Sequence, residues 1–210
     1  MKVLVLASQK GGVGKTTLAA HLAVAAEAAG DGPVALIDTD PQGSLAAWWN
    51  SRQAEVPAFS PAQIQNLSGQ LDQLRSAAFR LVVIDTPPAM TAAIADVVRQ
   101  ADLVVIPVRP SPHDLRAVGQ TVELVEGAQK PFLFAITQAK AGARLTAQAV
   151  AALSAHGQVA QALVGDRVDF AASMIDGRTV GELNHRSTSA AEVAALWRQV
   201  KEALTGKKKR

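Results

Sequence analysis

The sequence predicts a doubly wound α/β domain, a mainly parallel sheet with helices on both faces. Three observations carry that expectation. Short, continuously apolar runs rich in Val, Ile and Leu recur along the chain, as strands buried on both faces require. Helical stretches alternate with them, and right-handed crossovers then give a parallel sheet. The first run, "KVLVLAS", passes directly into a glycine loop that opens a helix.

Taken in order, that first run is a buried strand. "KTTLAAHLAVAAEAAG" follows the loop as an alanine-rich helix stopped by Gly30, and "PVALID" (33–38) is the second strand. Helices are expected from Ser44 and over Ala62 to Ala78. "FRLVVIDTPP" is the third strand, halted by Pro87 and Pro88. "DLVVIPV" (102–108) and "PFLFAIT" (131–137) are the fourth and fifth, and "QVAQALV" a weaker sixth. Helices are expected at 91–100, 113–128 and 145–156, and the last of the chain near 189–205. A single domain over 1–205 is expected, followed by a basic tail at 206–210.

The 210 residues are 49% hydrophobic, enough for one domain with a full core. No apolar run approaches the roughly 18 residues of a membrane span, and the short N-terminal run lacks the form of a signal peptide. A cytoplasmic protein is the expectation. There is no cysteine, which excludes disulfides, thiolate zinc sites and cysteine-ligated iron–sulfur clusters. The net charge of +3 is concentrated: without Lys207, Lys208, Lys209 and Arg210, 17 Lys and Arg face 18 Asp and Glu. Residues 1–105 carry 7 basic and 9 acidic side chains, residues 106–210 carry 14 and 9. A positive surface is therefore expected on the second half and the tail.

"SQKGGVGKTT" (8–17) is a phosphate-binding loop with an irregularity. The usual formula G-x-x-x-x-G-K-[ST] asks for glycine at position 9, where Gln9 stands beside a second lysine, Lys10. Gly11, Gly12 and Gly14 let the backbone curl and present N–H groups, that of Val13 among them, to phosphate oxygens. The helix behind adds its positive end. Lys15 suits the terminal phosphates, Thr16 a Mg²⁺ ion and Thr17 the α-phosphate. Asp85, at the tip of "LVVID", suits the same metal through water. Asp38 and Asp40 stand two apart in "LIDTDPQ" and face one way. One can join the metal shell (Asp38 is the candidate) and the other position the attacking water (Asp40). The plainer reading of that pair is an Asp-Pro turn.

"KGGVGKTT", "DTDPQGS" and "VVIDTPP" resemble the deviant Walker A class of P-loop ATPases, in particular the ParA proteins that partition plasmids, chromosomes and other large cargoes. "PVRPSPHDLRAV" and "RVDFAASMIDGRTVGEL" also resemble stretches of small ParA proteins. The resemblance implies an ATP- and Mg²⁺-dependent ATPase and accounts for Lys10. In this class the extra lysine reaches the partner's nucleotide, so that two ATP molecules are sandwiched in a homodimer. Facing triphosphates need cations supplied in trans, which makes dimerisation a switch set by the γ-phosphate. The resemblance further implies nucleoid association through non-specific double-stranded DNA, and a cargo-bound activator protein. Adenine is the expected base. Thr137 and Gln138 in "ITQAK" could approach one side of it and Val168 and Asp169 the other, and no guanine-specific motif stands there.

Absences narrow the class. There are neither the cysteines of nitrogenase iron-protein and arsenite-pump relatives nor the tyrosine cluster of bacterial tyrosine kinases. The alternative is a MinD-like membrane-associated regulator, whose last helix is amphipathic. Here Val193, Leu196, Trp197, Val200 and Leu204 form one stripe, a pattern more often turned to a core. The first strand starts at residue 2, so no operator-binding domain is expected ahead of it. DNA contacts would come from Arg109, Arg116, Lys140, Arg144, Arg167, Arg178, Arg186 and Arg198, chiefly to phosphates. With 4% aromatics, stacking on single strands is disfavoured. Trp48 and Trp49 suit core or a partner surface, with core favoured for at least one. No arginine finger stands within the nucleotide motifs, so slow basal turnover is expected until an activator completes the site.

Overall fold

A computed structural model describes residues 1–206. The basic run from Lys207 to Arg210 lies outside the described residues, and so does the tail expected there. The central sheet has six parallel strands: β1 (Lys2–Leu6), β2 (Val34–Asp38), β3 (Ala58–Phe59), β4 (Leu81–Asp85), β5 (Leu103–Val108) and β6 (Phe132–Ile136). Their order is β3-β2-β4-β1-β5-β6, so β1 lies between β4 and β5 and the winding reverses there. In open α/β sheets such a reversal opens a crevice at the carboxyl ends of the strands.

The strands are apolar throughout because both faces are covered. Leu4, Leu6, Leu36, Val83 and Val105 pack against α1 (Lys15–Ala28), α2 (Ser44–Asn50) and α9 (Thr188–Thr205). Val3, Val5, Ile37, Ile84 and Ile106 face α3 (Leu67–Ser76), α4 (Ala92–Arg99), α5 (Pro112–Gly127) and α6 (Arg144–Ser154). Neighbouring residues alternate between the two cores, the period-2 rule of a strand. Two short helices, α7 (Val168–Ser173) and α8 (Val180–Leu183), precede α9. The stripe Val193, Leu196, Trp197, Val200 and Leu204 is buried, so α9 is a core helix.

Three elements differ from expectation. "QVAQALV" is not a sixth strand; it meets the sheet edge at an isolated bridge, Phe134–Val159, and a second bridge, Ala139–Gly165, lies just beyond both. Ala160 N–H donates to Phe134 and Val164 N–H to Ile136, so four residues run against two and the segment bulges out of register. The sixth strand is instead the two-residue β3, which pairs with β2 beyond the cis Val56–Pro57 bond. A strand that short blunts the sheet edge and carries almost no periodic signal. The helix expected over Ala62–Ala78 is a 3₁₀ turn at Ile64–Asn66 followed by α3.

Trp48 and Trp49 divide between two roles. Trp48 is core, its Nε1 donating to Arg178 O at 3.2 Å. Trp49 is half-buried, donating to Pro57 O at 2.8 Å with its ring beside Phe59. The buried Arg52 guanidinium stacks on Trp48, 4.7 Å from the ring centroid, and pairs with Glu182 at 2.8 Å. The end of α2 is thereby tied to α8.

Candidate nucleotide site

Strand register builds the site. Leu6, the last residue of β1, pairs with Asp85 at the tip of β4, and Asp85 pairs with Asp38 at the tip of β2. The loop leaving β1 therefore opens directly beside both carboxylates. Gly12 and Gly14 adopt φ of +71° and +89°, a region costly for other residues, and Gly14 leads into α1. The N–H groups of Lys15, Thr16 and Thr17 form the first turn, where a helix has no acceptors of its own. Gln9, at the position of the missing glycine, is held through its N–H by Thr121 Oγ1 of α5 at 3.2 Å.

The Lys15 ammonium lies inside the loop and donates to Ser8 O at 3.2 Å and Lys10 O at 3.1 Å. Burial lowers its pKa, opposed by the charges of Asp85 and Asp40. The fully buried Asp85 accepts from Thr16 Oγ1 at 2.5 Å through Oδ2. Its Oδ1 is buried without a partner among the described residues. Burial pushes its carboxyl up to about 7, against the Thr16 hydrogen bond and with the help of Asp38. A hydroxyl and an orphaned carboxylate oxygen, both hard oxygen donors, fit Mg²⁺. Among the described residues no cluster of three or more His, Cys, Asp or Glu could hold a metal by itself. The donor set is thus one that phosphate oxygens and water complete.

Asp38 is less free than the sequence reading supposed. Its Oδ2 accepts from Leu45 N–H at 2.9 Å and Ala46 N–H at 3.0 Å, and its Oδ1 from Asp40 N–H at 3.0 Å. It thereby caps the start of α2. Asp40 Oδ1 accepts from Gln42 N–H at 3.0 Å in the same turn. The Lys10 side chain is exposed at the loop crest.

Thr137 and Gln138 brace the loop. Thr137 Oγ1 donates to Val13 O at 2.8 Å, and Gln138 Nε2, from a residue with φ +50°, to Gly12 O at 2.8 Å. Both also line a cavity of about 220 Å³ with Gly14, Thr17, Asp166 and Phe170. Val168 and Asp169 are outside its lining: Val168 is 83% exposed, and Asp169 accepts from Ser189 Oγ at 2.8 Å. Gly165, Asp166, Arg167, Phe170 and Ala171 line it on that side, before and after those two residues.

Sequence reading missed His21. It is buried in α1, its Nδ1–H donating to Thr17 O at 2.7 Å and its Nε2 accepting from Val180 N–H at 3.2 Å. Burial pushes its pKa down to about 4. An apolar helix with one histidine gives no sign of such a joint between α1 and α8. Of the basic residues expected on a DNA surface, Arg109, Arg167 and Arg178 pair with Asp114, Glu192 and Asp176. Among the described residues Arg116, Lys140, Arg144, Arg186 and Arg198 have no ion-pair partner and are exposed.

Comparison with known proteins agrees with this fold. The CobQ/CobB/MinD/ParA nucleotide binding domain matches residues 4–180. A maintenance of carboxysome distribution protein A from Halothiobacillus neapolitanus is 34% identical over 203 residues, 90% of this chain and 91% of that protein. One of the same name from Gloeobacter kilaueensis is 46% identical over 123 residues, 58% of this chain but 55% of that protein. Among solved structures, a Cyanothece McdA variant in complex with ATP superposes with TM-score 0.79 at 21% identity, covering 100% of this chain and 98% of that one. The septum site-determining protein MinD with Mg-ADP from Pyrococcus horikoshii gives 0.79 at 15% identity, covering 100% and 99%.

Proposed function

The chain belongs to the CobQ/CobB/MinD/ParA nucleotide-binding family, and on that premise we propose that it is a ParA-type positioning ATPase whose ATP-bound dimer holds non-specific DNA. The observation that carries the nucleotide chemistry is the buried, unpartnered Asp85 Oδ1 beside Thr16, at the mouth of a loop already filled by the Lys15 ammonium. Residues 1–205 act as one ATPase domain.

Lys15 and the loop N–H groups bind the phosphates. Thr16 and Asp85 hold Mg²⁺, which when bound neutralises charge on the phosphate oxygens. Asp40, anchored by its turn and within electrostatic reach of Lys15, orients the water that attacks the γ-phosphorus as the bond to the bridging oxygen breaks. ADP and phosphate are the products. Lys10 reaches from the exposed crest to the nucleotide of a second copy, and loss of the γ-phosphate dissolves the dimer. A cargo-bound activator accelerates that step. Adenine lies in the cavity between Thr137, Gln138 and Asp166, and DNA contacts come from the unpaired Arg116, Lys140, Arg144, Arg186 and Arg198.

The MinD-like alternative loses its main sequence support, because the apolar stripe of α9 is spent on the core. Among the described residues no helix is long and apolar enough to cross a membrane. Mobility shift of random duplex DNA and sedimentation with anionic vesicles, each with ATP and with ADP, separate the two readings. ATP-dependent DNA binding that weakens steeply with salt is expected. Vesicle binding without DNA binding would reverse the choice.

A further inference from the structure

The buried face of α5 carries one residue that does not match its neighbours. The stripe runs Val118, Thr121, Val122 and Val125, so a hydroxyl takes a place among valines. Thr121 is fully buried, and a buried hydroxyl is costly unless it has a partner. The partner is the phosphate loop: Thr121 Oγ1 accepts from Gln9 N–H at 3.2 Å. Gln9 keeps a negative φ, so its backbone does not need the glycine that the usual loop carries there. The next residue is Lys10. Its N–H donates to Ser8 Oγ at 3.4 Å, and its carbonyl accepts from the Lys15 ammonium at 3.1 Å. The backbone of Lys10 is therefore held on both sides. Its side chain is exposed and, among the described residues, has no ion-pair partner.

Two separate supports hold the loop. Its glycine-rich part is braced from the end of β6, by Thr137 Oγ1 on Val13 O and Gln138 Nε2 on Gly12 O, both at 2.8 Å. The segment ahead of it is braced from α5. Among the described residues, Gln9 and Lys10 have one hydrogen bond beyond the loop and α1, and it goes to Thr121. We propose that Thr121 is a positioning residue for Lys10: its hydroxyl holds the backbone from which the exposed ammonium is presented to a second copy. The inference rests on the reading that Lys10 reaches the nucleotide of that copy. A cation supplied in trans gains from a fixed base, because less freedom is lost when the two subunits meet. Thr121 thus acts on association, and leaves the phosphate cradle of its own subunit to Thr137 and Gln138.

The test separates association from nucleotide binding. Thr121→Val keeps the shape of the side chain, suits the valine stripe and removes the acceptor, whereas Thr121→Ser keeps the hydroxyl. Light scattering over a range of protein concentrations follows the dimer formed with Mg-AMPPNP, and calorimetry follows Mg-ADP binding to the monomer. Both are run on wild type, the two Thr121 variants and Lys10→Ala. Thr121→Val should raise the protein concentration needed for the AMPPNP dimer about 10-fold, since both subunits carry the lesion. Thr121→Ser should recover most of that loss. Mg-ADP affinity should stay unchanged in both, which also shows that they are folded; a purely structural role would not split the two measurements. Equal loss in both assays would overturn the proposal. So would wild-type dimerisation of Thr121→Val beside a Lys10→Ala protein that stays monomeric, and that outcome leaves the reading of Lys10 intact. A Lys10→Ala protein that dimerises normally would remove both.

Discussion

Protonation at His21 should work against this fold as pH falls. His21 is 1% exposed, with both ring nitrogens committed: Nδ1–H to Thr17 O and Nε2 as acceptor from Val180 N–H. Protonating Nε2 sets an N–H against an N–H inside the core. The folded pKa is pushed from 6.5 down to about 4. Between these values the unfolded chain binds the proton and the folded chain does not, so stability falls as pH falls. At about 1.4 kcal/mol per unit the loss approaches about 3 kcal/mol below pH 4, and is about 2 kcal/mol between pH 7 and pH 5. Wild type alone does not isolate this loss. Asp85, raised to about 7, is protonated first in the folded state and gains stability over much of the same range. His21→Gln removes the titration while keeping a donor and an acceptor. Urea unfolding followed by tryptophan fluorescence, at pH 7, 6 and 5 without nucleotide, gives the difference between the two proteins, with unchanged m-values. That gap should shrink by about 2 kcal/mol from pH 7 to pH 5. Parallel curves would show that His21 does not titrate between states, and the reasoning from its burial would fail.

Lys10→Ala should keep ATP affinity, since Lys15 and the loop N–H groups remain, but lose ATP-dependent dimerisation and the DNA binding that doubled contacts bring; light scattering that still finds an ATP dimer would remove the lysine from the interface. Asp40→Ala should bind ATP and dimerise yet release phosphate about 100-fold more slowly, and normal turnover would take the water-orienting role from Asp40. Asp85→Asn should shift the Mg²⁺ midpoint for ATP hydrolysis upward by about 10-fold or more, with chelator abolishing turnover in wild type; an unchanged midpoint would separate Asp85 from the metal.

The sequence by itself determined the layered fold and the phosphate loop. Both are local signals: apolar runs long enough for buried strands, and glycines and Lys-Thr at fixed spacing between a strand and a helix. It also placed the stripe of α9, because helical periodicity survives in any window of fifteen residues. What depended on pairing at a distance was not legible there. Whether 158–164 is a strand was decided by a four-against-two register with β6, and β3 exists only because β2 offers it an edge. Asp38 and Asp40 are alike in sequence, but the start of α2 claims the carboxylate of Asp38 with two N–H groups and leaves Asp40 at the turn. Gln9 and Thr121 are far apart along the chain. They meet because β5 lies beside β1 in the sheet, which lays the helix after β5 against the loop after β1, and a buried hydroxyl then finds the N–H it needs.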